Sequence, residues 1–254
     1  FYMEYSFNII RIFLRRGIIK IFRIEIWRCF WKSINRIKAR GIIKLKSLVK
    51  RVYNGYLNFV LKTSTVSFEN FYEIDDEIMD NCILGFWREN SYSMNLLLKK
   101  LNRYYKVKKN QELDVNVVVT DNSRGEYIEY ILNSYGANAL KIPDDIHKKE
   151  FIKELREKSK DDSLVALALD GPIGPLHEPK KIAFSLAKDS NKPFVGIKVR
   201  HSKKLKLKNK SDNYGIPLPF TKIQFSADVF GNIDNEVLTN FKEYKEIVKE
   251  RLCF

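Results

Sequence analysis

Short apolar runs alternate with amphipathic stretches along most of the chain, and this alternation constrains the fold more than any other feature. The apolar runs are rich in Val, Ile and Leu and occupy residues 82–87, 115–120, 164–169 and 194–199, with a less regular fifth run at 222–227. Patterns typical of helices occupy residues 91–105, 125–135, 146–158, 180–189 and 235–253. Strands that alternate with helices predict an α/β fold, in which a largely parallel central sheet is covered by helices. The stretch "SKKLKLKNKSDN" at 202–213 is predicted to be a polar, basic loop.

The N-terminal fifth of the chain differs from the rest in charge. Residues 1–51 carry a net charge of +12, which leaves +3 of the total of +15 for the remainder. Bulky apolar side chains share one face of a predicted helix here, opposite a row of Lys and Arg: Trp27, Phe30, Trp31, Ile34 and Ile37. The pattern predicts a basic amphipathic helical segment at 1–50 that associates with a membrane, followed by one α/β domain at 51–254. A helix packed on the domain with a solvated basic side is the alternative.

Several classes of protein and of site are disfavoured by composition. The longest run without Asp, Glu, Lys or Arg is 130–140, far short of the roughly 20 residues of a membrane-spanning helix. The cysteines are widely separated and follow no metal or disulfide spacing, so we expect no metal site and no bound cofactor. Basic charge also suits nucleic acid, but no nucleic-acid-binding module is recognisable, and we expect no such partner.

Polar segments follow three of the predicted strands. They are "WRENS" from Trp87, "TDNSRGE" after Val119 and "DGPIGP" after Leu169. In parallel sheets, ligands bind beyond the carboxyl ends of the strands, so these three segments are expected at one edge of the sheet.

The last of these segments combines an acid with alternating glycines and prolines: Asp170, Gly171, Pro172, Gly174 and Pro175. Glycine lets backbone turn at positive φ or lie close to a ligand, and proline stiffens the loop. This composition suits the binding of a phosphate or a carbonyl oxygen. An ordinary turn is the alternative.

Six blocks of the sequence, taken in order and spacing, resemble a bacterial lysophospholipid acyltransferase-like family, which is related to glycerolipid and lipid A acyltransferases. The blocks are "YLNFVLKTS", "ILGFWRENS", "VVVTDNSRGEYIEYILNSYGANALK", "LVALALDGPIGP", "KPFVGIKV" and "YGIPLPFTKIQFS". The resemblance implies an acyltransferase-like version of the α/β fold. It also implies transfer of a fatty acyl group from a thioester of acyl carrier protein or coenzyme A to a hydroxyl of a lysophospholipid or a lipid A-type lipid. Membrane lipid and acyl carrier protein are the implied partners, and the cytoplasmic face of the inner membrane is the implied peripheral location.

The family's catalytic histidine has no counterpart in this chain. The resemblance places it at Arg88, and the aspartate that orients it at Ser93. Arginine keeps its proton, with a pKa above ~12, and cannot act as a general base. The alternative function is therefore a catalytically impaired lipid-binding protein of the same fold.

The remaining site positions come from the resemblance and from the strand ends. The expected substrate-binding residues are Trp87, Ser123, Arg124, Lys141, Asp170, Gly171, Pro172 and Gly174. Lys141 stands where the family often has Arg, and Ile173 stands where it has a basic residue. For the segment around Ser123, a helix N-cap is the alternative.

A histidine elsewhere in the chain could replace the base that is missing at Arg88, because imidazole titrates near neutral pH. His177 follows the Asp-Gly-Pro loop and is the candidate base. His147 and His201 adjoin polar stretches and are expected to be solvated surface residues.

Overall fold

The structure is a computed structural model that describes residues 40–71, 76–143, 148–171, 174–208 and 213–253. The chain divides into two compact units, Phe1–Tyr53 and Asn54–Phe254. The predicted amphipathic face at 27–37 lies outside the described residues. The described part of the predicted N-terminal segment belongs to helix α1 (Arg40–Thr63), which continues past the predicted boundary at residue 50.

A seven-stranded sheet organises the second unit, in the order β1-β9-β6-β2-β5-β3-β4. Its strands are β1 (Thr65–Glu69), β2 (Ile83–Phe86), β3 (Val115–Thr120), β4 (Asn138–Ile142), β5 (Leu164–Ala168), β6 (Phe194–His201) and β9 (Lys222–Gly231). Strands β2 to β6 are mutually parallel, whereas β9 runs antiparallel to β6 and pairs in parallel with β1. The predicted α/β class with a largely parallel sheet is confirmed.

Helices connect the strands. After α1 they are α2 (Asp76–Asp80), α3 (Ser91–Lys108), α4 (Ser123–Asn133), α5 (Lys148–Lys160), α6 (Lys181–Ser190), α7 (Asn235–Thr239) and α8 (Phe241–Leu252). The single closing helix predicted at 235–253 is wrong, because two helices meet there at Asn240. Asparagine favours helix ends, since its side chain competes with the helix for backbone hydrogen bonds.

The core lies where α6 and α8 pack against β2, β5 and β6. Ile83, Leu167, Phe184, Phe194 and Leu252 are buried there in one cluster. Burying one such side chain stabilises the fold by about 1.5–3 kcal/mol. This packing fixes the ends of the central strands and therefore positions the segments that follow them.

The predicted loop at 202–213 is wrong in part. Strand β7 (Lys204–Lys208) pairs antiparallel with β8 (Asn213–Pro217) in a separate two-stranded sheet. Alternating Lys and Leu give β7 the period of two that a strand requires. Leu205 lies opposite Ile216, and both are buried. Two edge strands, β1 and β4, were also not predicted, because their residues are only partly buried and their apolar pattern is weak.

Every helix within the described ranges is too short or too polar to cross a bilayer.

Candidate functional site

The ends of β2 and β5 bring Arg88 and Asp170 together. The two strands pair in parallel with Phe86 opposite Ala168, so both chains leave the sheet at the same edge. Arg88 N donates a hydrogen bond of 2.9 Å to Asp170 Oδ1. Arg88 is 3% exposed and Asp170 is fully buried. The segment after β2 is thereby tied to the segment after β5, as their positions at parallel strand ends predict.

The carboxylate of Asp170 holds two backbone amides. Besides Arg88 N, His177 N lies 3.4 Å from Asp170 Oδ2. Burial raises the pKa of Asp170 above its ordinary value of 3.8, although the two amides and the Arg88 charge act in the opposite direction. Asp170 therefore orders the loop around Arg88.

Glycine allows the loop after β5 to lie against the Arg88 guanidinium. Gly174 has a φ of +86°, and a Cβ there would lie 3.1 Å from Arg88 Nη2. Gly171 also has a positive φ, +62°, but a Cβ there would make an ordinary contact of 3.6 Å with Lys180 Cγ. Pro172 and Ile173 lie outside the described residues.

A cavity of about 280 Å³, the apolar cavity, adjoins the carboxyl ends of four parallel strands. The last residues of β2, β3, β4 and β5 all line it: Phe86, Thr120, Ile142 and Ala168. Apolar side chains from α3 and α5 complete much of the wall, including Met94, Leu98, Phe151 and Leu155. Arg88 and Gly171 contribute to the same lining. The arrangement can hold a hydrocarbon chain with a guanidinium beside it.

A second cavity, the polar cavity, also of about 280 Å³, is lined by Trp87 and by the residues that follow Arg88, Glu89 and Asn90. Trp87 is buried, and its indole Nε1 donates to Leu252 O at 3.0 Å. The Trp87 ring lies 5.0 Å from the His177 ring, measured between centroids. Trp87 and Arg88, neighbours in sequence, thus line different cavities.

Two side chains, His177 and Lys204, pair with the Glu89 carboxylate in the polar cavity. His177 Nε2 lies 3.5 Å from Glu89 Oε1, and Lys204 Nζ lies 3.5 Å from Glu89 Oε2. Burial raises the pKa of Glu89, but hydrogen bonding and charge attraction from His177 and Lys204 outweigh burial and leave the pKa below its usual value. Glu89 is therefore ionised at neutral pH.

His201 is not the solvated surface residue that the sequence predicts. It ends β6 and shares a hydrogen bond of 2.7 Å between its Nε2 and Ser93 Oγ. Ser93 is fully buried. Burial, with a smaller effect of the Lys204 charge, lowers the pKa of His201 to about 4. The imidazole is therefore neutral at physiological pH, and it lines the polar cavity.

Lys141, another predicted site residue, is not brought to either cavity. Lys141 Nζ lies 2.8 Å from Glu129 Oε2, which raises the pKa of Lys141, and Lys141 is not among the described residues that line either cavity. Helix α4 begins at Ser123. Asn122 Oδ1 accepts a hydrogen bond of 3.1 Å from Gly125 N, which is an N-cap contact. The structure does not describe the side chains of Ser123 and Arg124, and His147 lies outside the described residues.

Several residues of the polar cavity were missed from the sequence, among them Asn90 and His201. Asn90 is only 3% exposed, yet it stands two positions beyond Arg88 in a segment that is polar throughout. His201 follows the predicted strand at 194–199 by two residues. This position at the carboxyl end of a strand could have indicated that His201 is a site residue. Across the part of the chain that the structure describes, no group of three or more His, Cys, Asp or Glu is arranged to hold a metal ion.

Comparison with solved structures finds a likeness of fold. No protein-family model matches the sequence, and no curated protein matches it. The chain is similar to the crystal structure of PlsC, a 1-acyl-sn-glycerophosphate (LPA) acyltransferase from Thermotoga maritima. The similarity has a TM-score of 0.44 at 14% identity and covers 97% of this chain and 95% of that one.

Proposed function

We propose that this protein binds a fatty acyl chain in the apolar cavity and transfers it from an acyl thioester to a hydroxyl of a lysophospholipid or a lipid A-type lipid. The order of the six sequence blocks supports the class of reaction. The observation that carries the proposal is the position of the apolar cavity. It lies at the carboxyl edge of the sheet, beside Arg88 and the Asp-Gly-Pro loop, where α/β proteins bind their ligands.

Arg88 contributes charge in this proposal and takes no proton. Its guanidinium is positioned by the Asp170 contact to its backbone and by the close approach of Gly174. A guanidinium offers several fixed donors to a carbonyl or phosphate oxygen. In a buried site such donors stabilise developing negative charge more strongly than water does.

In this proposal His177 takes the proton of the acceptor hydroxyl as its oxygen attacks the thioester carbonyl, and it passes that proton to the thiolate that leaves when the C–S bond breaks. Its backbone amide is held by the same carboxylate as that of Arg88. Its imidazole lies 3.5 Å from the Glu89 carboxylate, which stabilises the protonated ring as proton transfer proceeds. A general base of this kind contributes about 10²–10⁴ in rate.

A lipid-binding protein without transfer activity is the second candidate, and one observation favours it. The described residues that line the apolar cavity include no His, Asp or Glu. If His177 does not reach the acceptor hydroxyl, the cavity binds an acyl chain and Arg88 binds its polar end without chemistry.

We further propose that the protein works at a membrane surface as a peripheral protein on the cytoplasmic face of the inner membrane. Support comes from the net charge of +12 in residues 1–51. Basic residues near an anionic lipid surface each contribute about 1 kcal/mol. Acyl carrier protein or coenzyme A would supply the acyl group.

Mass spectrometry of reaction products separates the two candidates. The purified protein is incubated with palmitoyl thioesters of acyl carrier protein and coenzyme A, and with lysophosphatidic acid or a lipid A precursor as acceptor. Acyl transfer predicts a diacylated product that the parent forms and that His177→Gln forms at least 10²-fold more slowly. Binding of lysophosphatidic acid with no product from any donor would instead establish the second candidate.

A further inference from the structure

The polar cavity contains buried hydrogen-bonding atoms that the described protein does not satisfy. Asn90 is 3% exposed, and its Oδ1 is fully buried without a hydrogen-bond partner among the described residues. His201 Nδ1 is in the same situation within the described chain, while its other ring nitrogen is taken by Ser93. Both residues line the polar cavity. Buried polar atoms are nearly always paired in folded proteins, so two such atoms at one cavity indicate a bound polar group.

The charges around the cavity restrict what this group can be. Asn90 Oδ1 and the ionised Glu89 carboxylate are hydrogen-bond acceptors and disfavour a bare anion. Lys204 already faces one Glu89 oxygen and the His177 ring faces the other, which disfavours an additional cation. Arg200 also lines the cavity, but it is exposed to solvent.

A hydroxyl group meets the remaining requirements, because it both donates and accepts hydrogen bonds. One hydroxyl can donate to Asn90 Oδ1 and accept from His201 Nδ1–H; in the other tautomer of the neutral ring, a second hydroxyl donates to His201 Nδ1. The buried indole of Trp87 gives the cavity an apolar wall, against which the C–H faces of a polyol can pack. The volume of about 280 Å³ leaves room for several such groups.

We propose that the polar cavity binds a small hydroxyl-rich compound, a polyol or a sugar, through Asn90 and His201. The ligand is either a free polyol or the head group of a lipid, since both present the same chemistry. This site is distinct from the apolar cavity, although His177, the base of the proposed transfer, also lines it; the inference rests on Asn90 and His201 and does not depend on acyl transfer.

Imidazole NMR tests the inference in the full chain. Two-dimensional ¹H–¹⁵N spectra of the histidine rings are recorded during separate titrations with glycerol, glucose, 1-hexanoylglycerol and sodium phosphate. Ring signals are assigned with His201→Gln and His177→Gln. The proposal predicts saturable shifts of the His201 and His177 signals with at least one hydroxylated probe. Tighter binding of 1-hexanoylglycerol than of glycerol indicates a lipid head group, and equal binding indicates a free polyol.

Asn90→Leu and Asn102→Leu provide the decisive comparison. Asn90→Leu removes an unpaired acceptor, so the melting temperature should not fall, while polyol affinity should fall about tenfold. Asn102 is equally buried but is paired at both amide atoms, donating to Tyr135 O and accepting from Leu113 N at 3.2 Å. Asn102→Leu should lower the melting temperature and leave polyol affinity unchanged. Shifts with phosphate but with no hydroxylated probe, or unchanged polyol affinity in Asn90→Leu, would overturn the inference.

Discussion

Alanine at Gly174 should disturb Arg88, and two other glycines provide matched controls. Gly174, Gly171 and Gly231 all have positive φ, at +86°, +62° and +76°. An alanine in the left-handed region costs about 1–2 kcal/mol, so all three variants share a backbone cost. They differ in what the new Cβ meets. At Gly231 there is open space within 4 Å, at Gly171 an ordinary contact, and at Gly174 the Arg88 Nη2 atom at 3.1 Å.

Only the Gly174 variant should therefore move the guanidinium. The guanidinium and the Leu176 backbone, whose N would lie 3.3 Å from the new Cβ, must give way by a few tenths of an ångström, at a cost of no more than the about 0.5–1.5 kcal/mol of an off-rotamer side chain. We expect Gly231→Ala and Gly171→Ala to lose about 2–8 °C in melting temperature, and Gly174→Ala to lose a few degrees more. Binding of oleoyl lysophosphatidic acid should fall about tenfold in Gly174→Ala, because the guanidinium no longer faces the lipid phosphate.

Thermal unfolding followed by circular dichroism measures the first effect, and isothermal titration calorimetry measures the second. Gly231→Ala should bind the lipid as the parent does, since it lies at the far end of β9. If Gly174→Ala matches Gly231→Ala in both stability and lipid affinity, the approach of the loop to Arg88 has no functional consequence, and the reasoning is refuted.

Three further predictions concern charge. Burial and the Lys204 charge lower the pKa of His201 from 6.5 to about 4, and the Glu89 charge opposes this shift. Because of this lowered pKa, folding becomes less favourable as pH falls. The unfolded state takes up the proton first, so the parent should lose about 3 kcal/mol between pH 6.5 and 4 relative to His201→Gln; denaturant unfolding at both pH values measures this loss, and equal losses would contradict it. Arg88→Ala should weaken binding of lysophosphatidic acid about tenfold more than binding of the monoacylglycerol with the same chain; calorimetry compares the two lipids, and an equal loss would show that Arg88 does not face phosphate. Removal of residues 1–39, which carry a net charge of +7, should reduce flotation with anionic but not with neutral liposomes; undiminished flotation with anionic liposomes would argue against membrane docking by this segment.

The sheet could be predicted because its central strands are buried on both faces. Strands β2, β3, β5 and β6 contain short apolar runs rich in Val, Ile and Leu, which is typical of parallel strands under helices. The partly exposed β1 and β4 lack that pattern. The three lysines of β7 make its sequence resemble a polar loop, so this strand was not predicted. The antiparallel direction of β9 depends on pairing with β6, which is a long-range contact that local periodicity does not encode.

The sequence predicts one part of the site, the meeting of Arg88 and Asp170, but not the other, the polar cavity. Arg88 and Asp170 follow apolar strands directly, so their meeting at one edge of the sheet could be predicted. The polar cavity could not, because it joins Asn90 and His177 to His201 from a strand far along the chain. The Ser93–His201 hydrogen bond holds a half-buried histidine that its basic sequence neighbours predict to lie at the surface. A side chain's burial is decided by tertiary contacts, which sequence polarity reports only on average.

Filling the apolar cavity is the most direct test of acyl-chain binding. Ala168 ends β5 and lines the cavity beside Arg88, so Ala168→Phe places a ring in the volume that a chain would occupy. The measurement is the calorimetric affinity of the parent and the variant for oleoyl lysophosphatidic acid, with near-ultraviolet circular dichroism to verify the fold. The account predicts saturable binding by the parent and an affinity at least tenfold lower in Ala168→Phe. Parent-like affinity in a correctly folded Ala168→Phe would contradict it.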